Sequence, residues 1–572
     1  MRLMTRIRWF LVTVLLILTI LGCWLWWVRP RSVDMSSYAP VDSLLYLESN
    51  NPADVLTTLT NTDAWQLVDA VAGNRRRTEN NNWSRKFVRW TGIGPINSVI
   101  LTRAQLAVVV TDLGVAQDEQ TLTVKPEGAL LIETHTSGNR IRPAVEQALK
   151  NFAETAYGQP TLKRTTVDGF EFVEWIAPGG SRQVVATIVG TLAIVGNTER
   201  AIQKIVAVTL RRRPSLKDDA DLQKLRLELQ SDHALAFGYV PATNSGRLLS
   251  FAVPMALGRA PGNTDFERLI KSASAKIVGS LAWSSTPFMN GIEDRYRINL
   301  QPAVVAKLKE SFSCQQPDPA SRTVLPENFS SVTYYQFQSP TTAWQGLKTS
   351  VSSQVDALSA ILFSSLLKSA LLPYGINEPD KFLSLLDSPV LTARLNSDTA
   401  GSLLIAKLHD QTAMRELLTK EMGFRTIDAT SNAEAFRNSD NEFAARFMNG
   451  LVIIGSEPEV ARYVEQARAG SSHASPRTLL TPLSNAACVL TYTDDTDRDR
   501  AFVSSIVKAR GAPARWSDQT ERFLMQLPYS ATETTLEEHG FDRITRSALG
   551  QFSTLLPLVL PARTKTDENP KP

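Results

Sequence analysis

The sequence predicts an α+β protein: an N-terminal transmembrane helix followed by two related units of mostly antiparallel sheet covered by helices. Three observations predict it. The run from Trp9 to Val28 is uncharged and almost wholly apolar. Five short segments recur in the same order in the two halves of the remaining chain. Within each half, apolar strand patterns ended by turn residues alternate with helical periodicity, which suits an antiparallel sheet layered with helices.

The run Trp9 to Val28 has the length that crosses a hydrocarbon core as a helix. Trp24, Trp26 and Trp27 suit the aromatic belt at its outer end. Arg2, Arg6 and Arg8 precede the run; Arg29 and Arg31 follow it, partly offset by Asp34. That bias keeps residues 1–8 in the cytoplasm and places the bulk of the chain beyond the cytoplasmic membrane, in the periplasm or outside. The anchoring residues are Arg6, Arg8, Trp9, Trp24, Trp26 and Trp27. Two other readings stand beside an uncleaved anchor. A cleaved signal peptide has a shorter apolar region and a small-residue site, unlike this bulky end. Acylation at Cys23 is suggested by Gly22, but Leu21 and the apolar stretch after the cysteine suit it poorly. As a plain apolar residue within the span, Cys23 needs neither.

No second span is predicted. From Trp344 the apolar positions Leu347, Val351, Val355, Leu358, Leu362 and Leu366 step by three and four, which predicts one helix with one buried stripe. Asp356, Lys368 and several serines interrupt its apolarity, and Pro373 closes it.

The predicted order is a linker at 29–39, a first unit at 40–303, a linker at 304–325, a second unit at 326–560 and a disordered polar tail at 561–572. Tyr46 and Tyr334 each stand six residues before a proline, Pro52 or Pro340, which follows a capping residue, Asn51 or Ser339. A strand entering a capped helix explains both. GALLIETH from Gly128 matches GSLLIAKL from Gly401, which sets Glu133 and His135 against Ala406 and Leu408. Helices are predicted after each, at Arg142 to Tyr157 and Gln411 to Met422. GTLAIVGNTERAIQKI from Gly190 matches NGLVIIGSEPEVARYV from Asn449. Each is a strand, a cap residue (Asn197 or Ser456) and a helix, and Ser456 with Glu459 has capping-box spacing. ALAFGY from Ala234 matches ACVLTY from Ala487. GIEDRYRI from Gly291 matches GFDRITRS from Gly540 with a one-residue slip. Thr165 to Trp175 and Val184 to Val195 predict a hairpin around Pro178-Gly179-Gly180. Ala433 to Arg437 and Glu442 to Ile454 predict its counterpart.

AQLAVVVTD (Ala104 to Asp112), GALLIETHT (Gly128 to Thr136), VGTLAIVGNTERAIQKI and GFDRITRSALGQFSTL (Gly540 to Leu555) resemble the uncharacterised bacterial envelope proteins catalogued as domain of unknown function 3352. The resemblance covers most of the chain after the anchor. It implies a secreted or membrane-tethered repeat protein and brings no catalytic residues with it.

Composition narrows the chemistry. Of 572 residues, 43% are hydrophobic and 21% charged, which argues against both a disordered chain and a multi-span protein. The net charge of +4 drops to about +1 without Arg2, Arg6 and Arg8, so no whole-chain polyanion binder is implied. Three cysteines and five histidines leave little material for metal sites. An exported Cys314 and Cys488 are free to pair, but a buried thiol at Cys488 and a separate Cys314 are the simpler reading. Phosphate-cradling, zinc-protease and nucleophile-elbow motifs are absent.

Ser365 and Lys368 form an S-x-x-K, and Ser439-Asp440-Asn441 an S-D-N, as in penicillin-binding enzymes. No K-T-G follows, Ser365 falls inside a helical pattern, and Ser439 to Asn441 falls at a turn. Glu133 and His135 share one side of a predicted strand and read as a solvent-facing pair. His409-Asp410 reads as a turn or helix cap. Arg75, Arg76, Arg77, Arg85, Lys86 and Arg89, with Trp83 and Trp90 between them, are a candidate contact for an anionic surface.

The sequence therefore predicts no catalytic, metal or cofactor site and no nucleic-acid partner. Membrane lipid is the predicted partner through the N-terminal helix, with another envelope protein or lipid as a further one. The predicted function is a non-enzymatic scaffold or binding module of the cell envelope. A carrier of lipid or apolar ligand is the alternative, and a hydrolase with an unrecognised site the remote one.

Overall fold

The computed structural model describes residues 32–72, 103–117, 122–180, 182–256, 264–314, 325–326, 328–396, 401–430, 433–468, 487–509 and 513–559. The predicted anchor, with Arg6, Arg8, Trp9, Trp24, Trp26 and Trp27, lies outside the described residues, as do the basic cluster Arg75 to Arg89 and the tail 561–572.

The fold is α+β, with a sheet whose pairings among the described residues are all antiparallel. The first ten strands are β1 (Leu45–Ser49), β2 (Gln105–Gln117), β3 (Leu122–Glu133), β4 (Thr161–Val167), β5 (Phe170–Ile176), β6 (Gln183–Val189), β7 (Leu192–Gly196), β8 (Ala236–Val240), β9 (Val278–Phe288) and β10 (Gly291–Leu300). The next ten are β11 (Ser331–Tyr335), β12 (Leu386–Arg394), β13 (Leu403–Leu408), β14 (Phe424–Thr430), β15 (Ala433–Asn438), β16 (Phe443–Met448), β17 (Leu451–Ser456), β18 (Val489–Thr493), β19 (Ser530–Glu537) and β20 (Gly540–Ser547). The first set is ordered β4-β5-β6-β7-β3-β2-β1-β8-β9-β10. The second repeats that order as β14-β15-β16-β17-β13-β12-β11-β18-β19-β20. The two sets join edge to edge where β10 runs antiparallel to β20. An antiparallel pairing of equivalent edge strands relates the sets by a local two-fold axis normal to the sheet.

The junction follows that symmetry residue by residue. Gly291 and Gly540 both follow two-residue turns, so the GIEDRYR and GFDRITR segments align without the predicted slip. A side chain on Gly291 would collide with the Ser547 carbonyl, and one on Gly540 with that of Ile298. The aligned acids Glu293 and Asp542, and the aligned arginines Arg297 and Arg546, then form two cross-strand ion pairs. Arg297 is bidentate to Asp542, with Nε–Oδ1 and Nη2–Oδ2 both 2.9 Å. Arg546 Nε donates to Glu293 Oε2 at 2.9 Å.

Burial alone would raise the Glu293 and Asp542 carboxyls. The arginines outweigh it, through Arg546 and Arg295 at Glu293 and through Arg297 with His539 at Asp542, and hold both below their ordinary 4.5 and 3.8. A depressed folded pKa contributes stability that is present above the ordinary value and is lost as pH falls through the folded value. The urea midpoint is therefore expected to fall as pH drops below about 4 and to fall less steeply in Asp542→Asn. Equal slopes in the two proteins would refute this account of the junction.

Other expected elements appear with changed boundaries. Asn51 and Ser339 cap the helices Pro52–Thr60 and Pro340–Ser352, each with proline in the first turn. Tyr46 and Tyr334 face the same side of the sheet, but Tyr46 opposes Tyr239 whereas Tyr334 opposes Leu490. A shift of two residues preserves the face. The two expected hairpins are instead four-stranded meanders, β4 to β7 and β14 to β17, because Asp168-Gly169 and Gly190-Thr191 also turn the chain. Thr198, not Asn197, caps the helix Glu199–Thr209; Asn197 reaches back to the Gly128 amide instead. No capping box forms at Ser456, whose amide donates to Ser402, while Glu459 accepts from the Leu395 amide.

Neither predicted linker is a bare connection. Met35–Tyr38 is a helical turn whose Met35 is fully buried in the first core. The second linker contains most of the helix Pro302–Ser311, then Cys314, which is disulfide-bonded to Cys488 with Cα atoms 5.0 Å apart. The free-thiol expectation is thereby overturned: the pairing of β11 with β18 brings the residue before β18 beside the end of the linker.

Helices cover both faces. Glu199–Thr209 and Ala220–Glu228 close a core on the Tyr46 face of the first set, and Gly138–Tyr157 covers Trp175 and Val184 on the other. The helix Asp63–Val71 packs against Phe502 and Val503 of Thr496–Ala509, so a helix of each unit is buried against the other unit. The single helix expected from Trp344 to Leu372 is two, Pro340–Ser352 and Ala357–Leu371, because the Asp356 carboxylate caps a new start. Its expected buried stripe is also absent: in Ala357–Leu371 only Ser359 is buried.

Candidate functional site

Each strand of the junction has one face toward the ion pairs and the other toward a groove on the local two-fold axis. The groove holds about 430 Å³. Its first wall is Leu45 and Leu47 of β1, Val240 of β8, Leu281 and Trp283 of β9, and Tyr296 and Ile298 of β10. Its second wall is Thr493 of β18, Ser530 and Thr532 of β19, Arg543 and Thr545 of β20, and Asp495 and Arg498 at the start of the helix Thr496–Ala509.

The walls are the same strand positions of the two sets with changed chemistry. The registers align Val240 with Thr493, Leu281 with Ser530, Trp283 with Thr532 and Tyr296 with Thr545. Four apolar or aromatic positions of one set are thus hydroxyl-bearing in the other. The junction offers an apolar side and a hydroxyl side across one opening.

Behind the first wall, Asp294 accepts from Trp283 Nε1 at 2.9 Å and from the Gln551 amide at 3.0 Å. Burial raises the Asp294 carboxyl against these donors. The Tyr296 hydroxyl, pushed upward by burial and by Asp294, accepts from Gln551 Nε2 at 2.5 Å. These bonds lock the aromatic side chains. On the second wall Arg498 pairs with Asp495 at 2.5 Å, and its buried Nε has no partner. Arg543 is exposed and has no carboxylate partner among the described residues. The groove therefore presents rigid apolar and aromatic surface, hydroxyls, and two guanidinium groups with spare donors. That set recognises a ligand by shape and hydrogen bonding.

A second cleft, about 740 Å³, is bounded by Ser32 to Asp34 and by Arg226. Its residues tie the start of the described chain to the body. Gln105 makes paired bonds to the Val33 backbone at 2.7 and 2.9 Å. Arg226 reaches Asp34 at 2.8 Å and Glu48 at 2.7 Å, and Tyr46 donates to Glu48 at 2.6 Å. Burial raises Glu48, and the Arg226 charge beside it opposes that rise. These bonds make the cleft a structural clamp, although the buried Arg226 Nε is left without a partner.

The catalytic look-alikes are not assembled as such. Ser365 lies within the helix Ala357–Leu371, and its hydroxyl donates to the Ile361 carbonyl at 3.0 Å. Ser439 to Asn441 form the β15–β16 turn, with Asn441 at φ 58°. The Glu133–His135 pair is not a solvent-facing strand pair. Glu133 is buried, accepting from Tyr38 at 3.1 Å and from the His135 amide at 2.9 Å, and His135 turns away at φ 53°. Burial and Glu133 push Tyr38 up to about 12. The strand registers also set Glu133 against Lys407, one residue from the sequence alignment. Asp410 caps the helix Gln411–Glu416 as expected. His539 is paired with Asp542 at 2.9 Å. Among the described residues no group of three or more His, Cys, Asp or Glu is placed to hold a metal ion.

The groove residues were missed from sequence because no local pattern marks them. The available signal was the loss of apolar character at Thr493, Ser530, Thr532 and Thr545 relative to their matched positions. No protein-family model matches the chain, and no curated protein matches it.

Proposed function

We propose that this chain is a membrane-anchored extracytoplasmic binding module of the bacterial envelope, which holds its partner in the junction groove without catalysing a reaction. The groove carries the reading: it is an opening on the axis between two sets whose own cores are filled, and both sets line it. The Cys314–Cys488 disulfide supports an exported location, because such bonds persist in oxidising compartments. The sequence run Trp9 to Val28 supports anchoring, and the likeness to the domain of unknown function 3352 proteins fits the same place. The apolar first wall favours a second reading, a carrier that shields the apolar part of a lipid.

A photoreactive amino acid at Thr545 in intact cells tests both. A discrete protein adduct is expected at that position, absent with the same group at Ile427 on the distant edge strand β14, and lost when Arg543→Glu is added. An adduct with lipid alone would replace this reading with the carrier. No adduct at Thr545 would remove the groove as the binding place.

A further inference from the structure

The helix Ala357–Leu371 is the equivalent of Asp63–Val71, since each follows the capped helix after β1 or β11. The two have opposite fates. Asp63–Val71 buries Ala64, Trp65, Leu67, Val68 and Val71. Ala357–Leu371 buries only Ser359, and leaves Leu358 and Ile361 60% and 66% exposed, with Leu372 after it 52% exposed. Yet it is the more apolar of the two in length and continuity. The stretch Ala357–Tyr374 has mean hydropathy 1.4, with 6% of it buried.

Its apolar side chains are not confined to a stripe. At 100° per residue, Leu358, Ile361, Leu362, Phe363, Leu366, Leu367 and Leu371 point around the whole circumference. A protein partner is normally met by one apolar face; a helix apolar all round belongs in a core or in lipid. Three of its four serine hydroxyls, all but that of Ser364, agree. Ser359 donates to Asp356 at 2.8 Å, Ser365 to the Ile361 carbonyl at 3.0 Å, and Ser369 to the Leu366 carbonyl at 2.7 Å. Bonded within their own helix, these serines can leave water without an unpaired donor. Lys368 is the one charge inside the helix, on a stem long enough to reach the headgroups.

We infer that Ala357–Leu371 is a second membrane contact, lying in the interface of the bilayer to which the chain is anchored. Its 15 residues make about 22 Å, short of a hydrocarbon core of about 30 Å. Its two ends are tied to the body, the first beside Pro340–Ser352 and the second through Tyr374, which bonds Thr392. It therefore lies along the surface and does not cross it, with one side of its circumference against Pro340–Ser352 and the rest toward lipid. The occupant is a lipid surface, because the chain outside the described residues carries the apolar run Trp9 to Val28. To that extent the inference rests on the anchor reading. The stretch from Val28 to Met35 spans at most about 25 Å, so the body is held at the bilayer.

The test uses the full chain in vesicles of phosphatidylethanolamine and phosphatidylglycerol containing nitroxide-labelled lipid. Cys314 and Cys488 are disulfide-bonded, so a polarity-sensitive fluorophore attaches at native Cys23, or at Ile361→Cys or Met289→Cys in a Cys23→Ser chain. The expected result is a blue shift and loss of emission at 361, and neither at 289, where the side chain is 87% exposed. Quenching at Cys23 without quenching at 361 overturns the inference and leaves the anchor intact. Quenching at 361 without quenching at Cys23 supports the inference and sinks the anchor. An unquenched 361 label that crosslinks copies of the chain assigns the helix to a dimer and also overturns it.

Discussion

Arg546→Ala is expected to destabilise the protein by about 3–5 kcal/mol, the usual cost of removing one partner from a buried ion pair. Arg546 is 3% exposed, with Glu293 and Glu533 at 6% and 4%. Its Nε is 2.9 Å from Glu293 and its Nη1 3.6 Å from Glu533, and its guanidinium lies 4.8 Å from the Phe288 ring centroid. Truncation takes that cation from two buried carboxylates at the seam between the strand sets. The twin substitution Arg297→Ala is expected to cost less. Arg297 and Asp542 are 16% and 25% exposed, so water re-solvates the carboxylate left behind. Urea denaturation of the two variants gives the order. Equal or reversed costs would mean that burial at the seam does not set the energetics.

Breaking the Cys314–Cys488 bond has the other large expected effect. The bond closes a segment with a sequence separation of 174. Chain-entropy reasoning for so long a loop gives about 5 kcal/mol, and measured disulfides deliver about 2–5 kcal/mol. Cys488→Ala is expected to lower the denaturation midpoint accordingly and to make the protein insensitive to reductant. Cys314→Ala should match it, because either change opens the same loop. A large difference between the two variants would point to local packing at Cys488, which is 4% exposed, and not to the closed loop.

Much of the fold was legible because it is local. The passage from strand to capped helix at Asn51-Pro52 and Ser339-Pro340 is written in adjacent residues. So are the Gly196 strand end and the apolar runs of β3, β7, β13 and β17. The order of matched segments foretold a repeated layout, and the strand order repeats. Boundaries failed where two local signals competed. Asp356 reads as an interruption within a helical pattern, yet its carboxylate starts a new helix. Gly190-Thr191 sits within an apolar run, yet turns it.

The candidate site was not legible. Its walls come from β1, β8, β9 and β10 on one side and β18, β19 and β20 on the other, and only the β10–β20 pairing brings them together. The alignment of Glu133 with Lys407 shows the same difficulty on a small scale. Sequence similarity preferred a register one residue away, and a one-residue shift would have turned every side chain of β13 to the wrong face.

Sequence by itself determined the anchor-like run, the α+β alternation and the recurrence of one unit, because side-chain periodicity and capping chemistry act over a few residues. Only the tertiary structure decided which edges join, which cysteines meet, and that Asp63–Val71 is buried while its counterpart Ala357–Leu371 is exposed. Those outcomes depend on surfaces brought together from distant parts of the chain. Helices of similar local pattern acquire different fates from what stands opposite them.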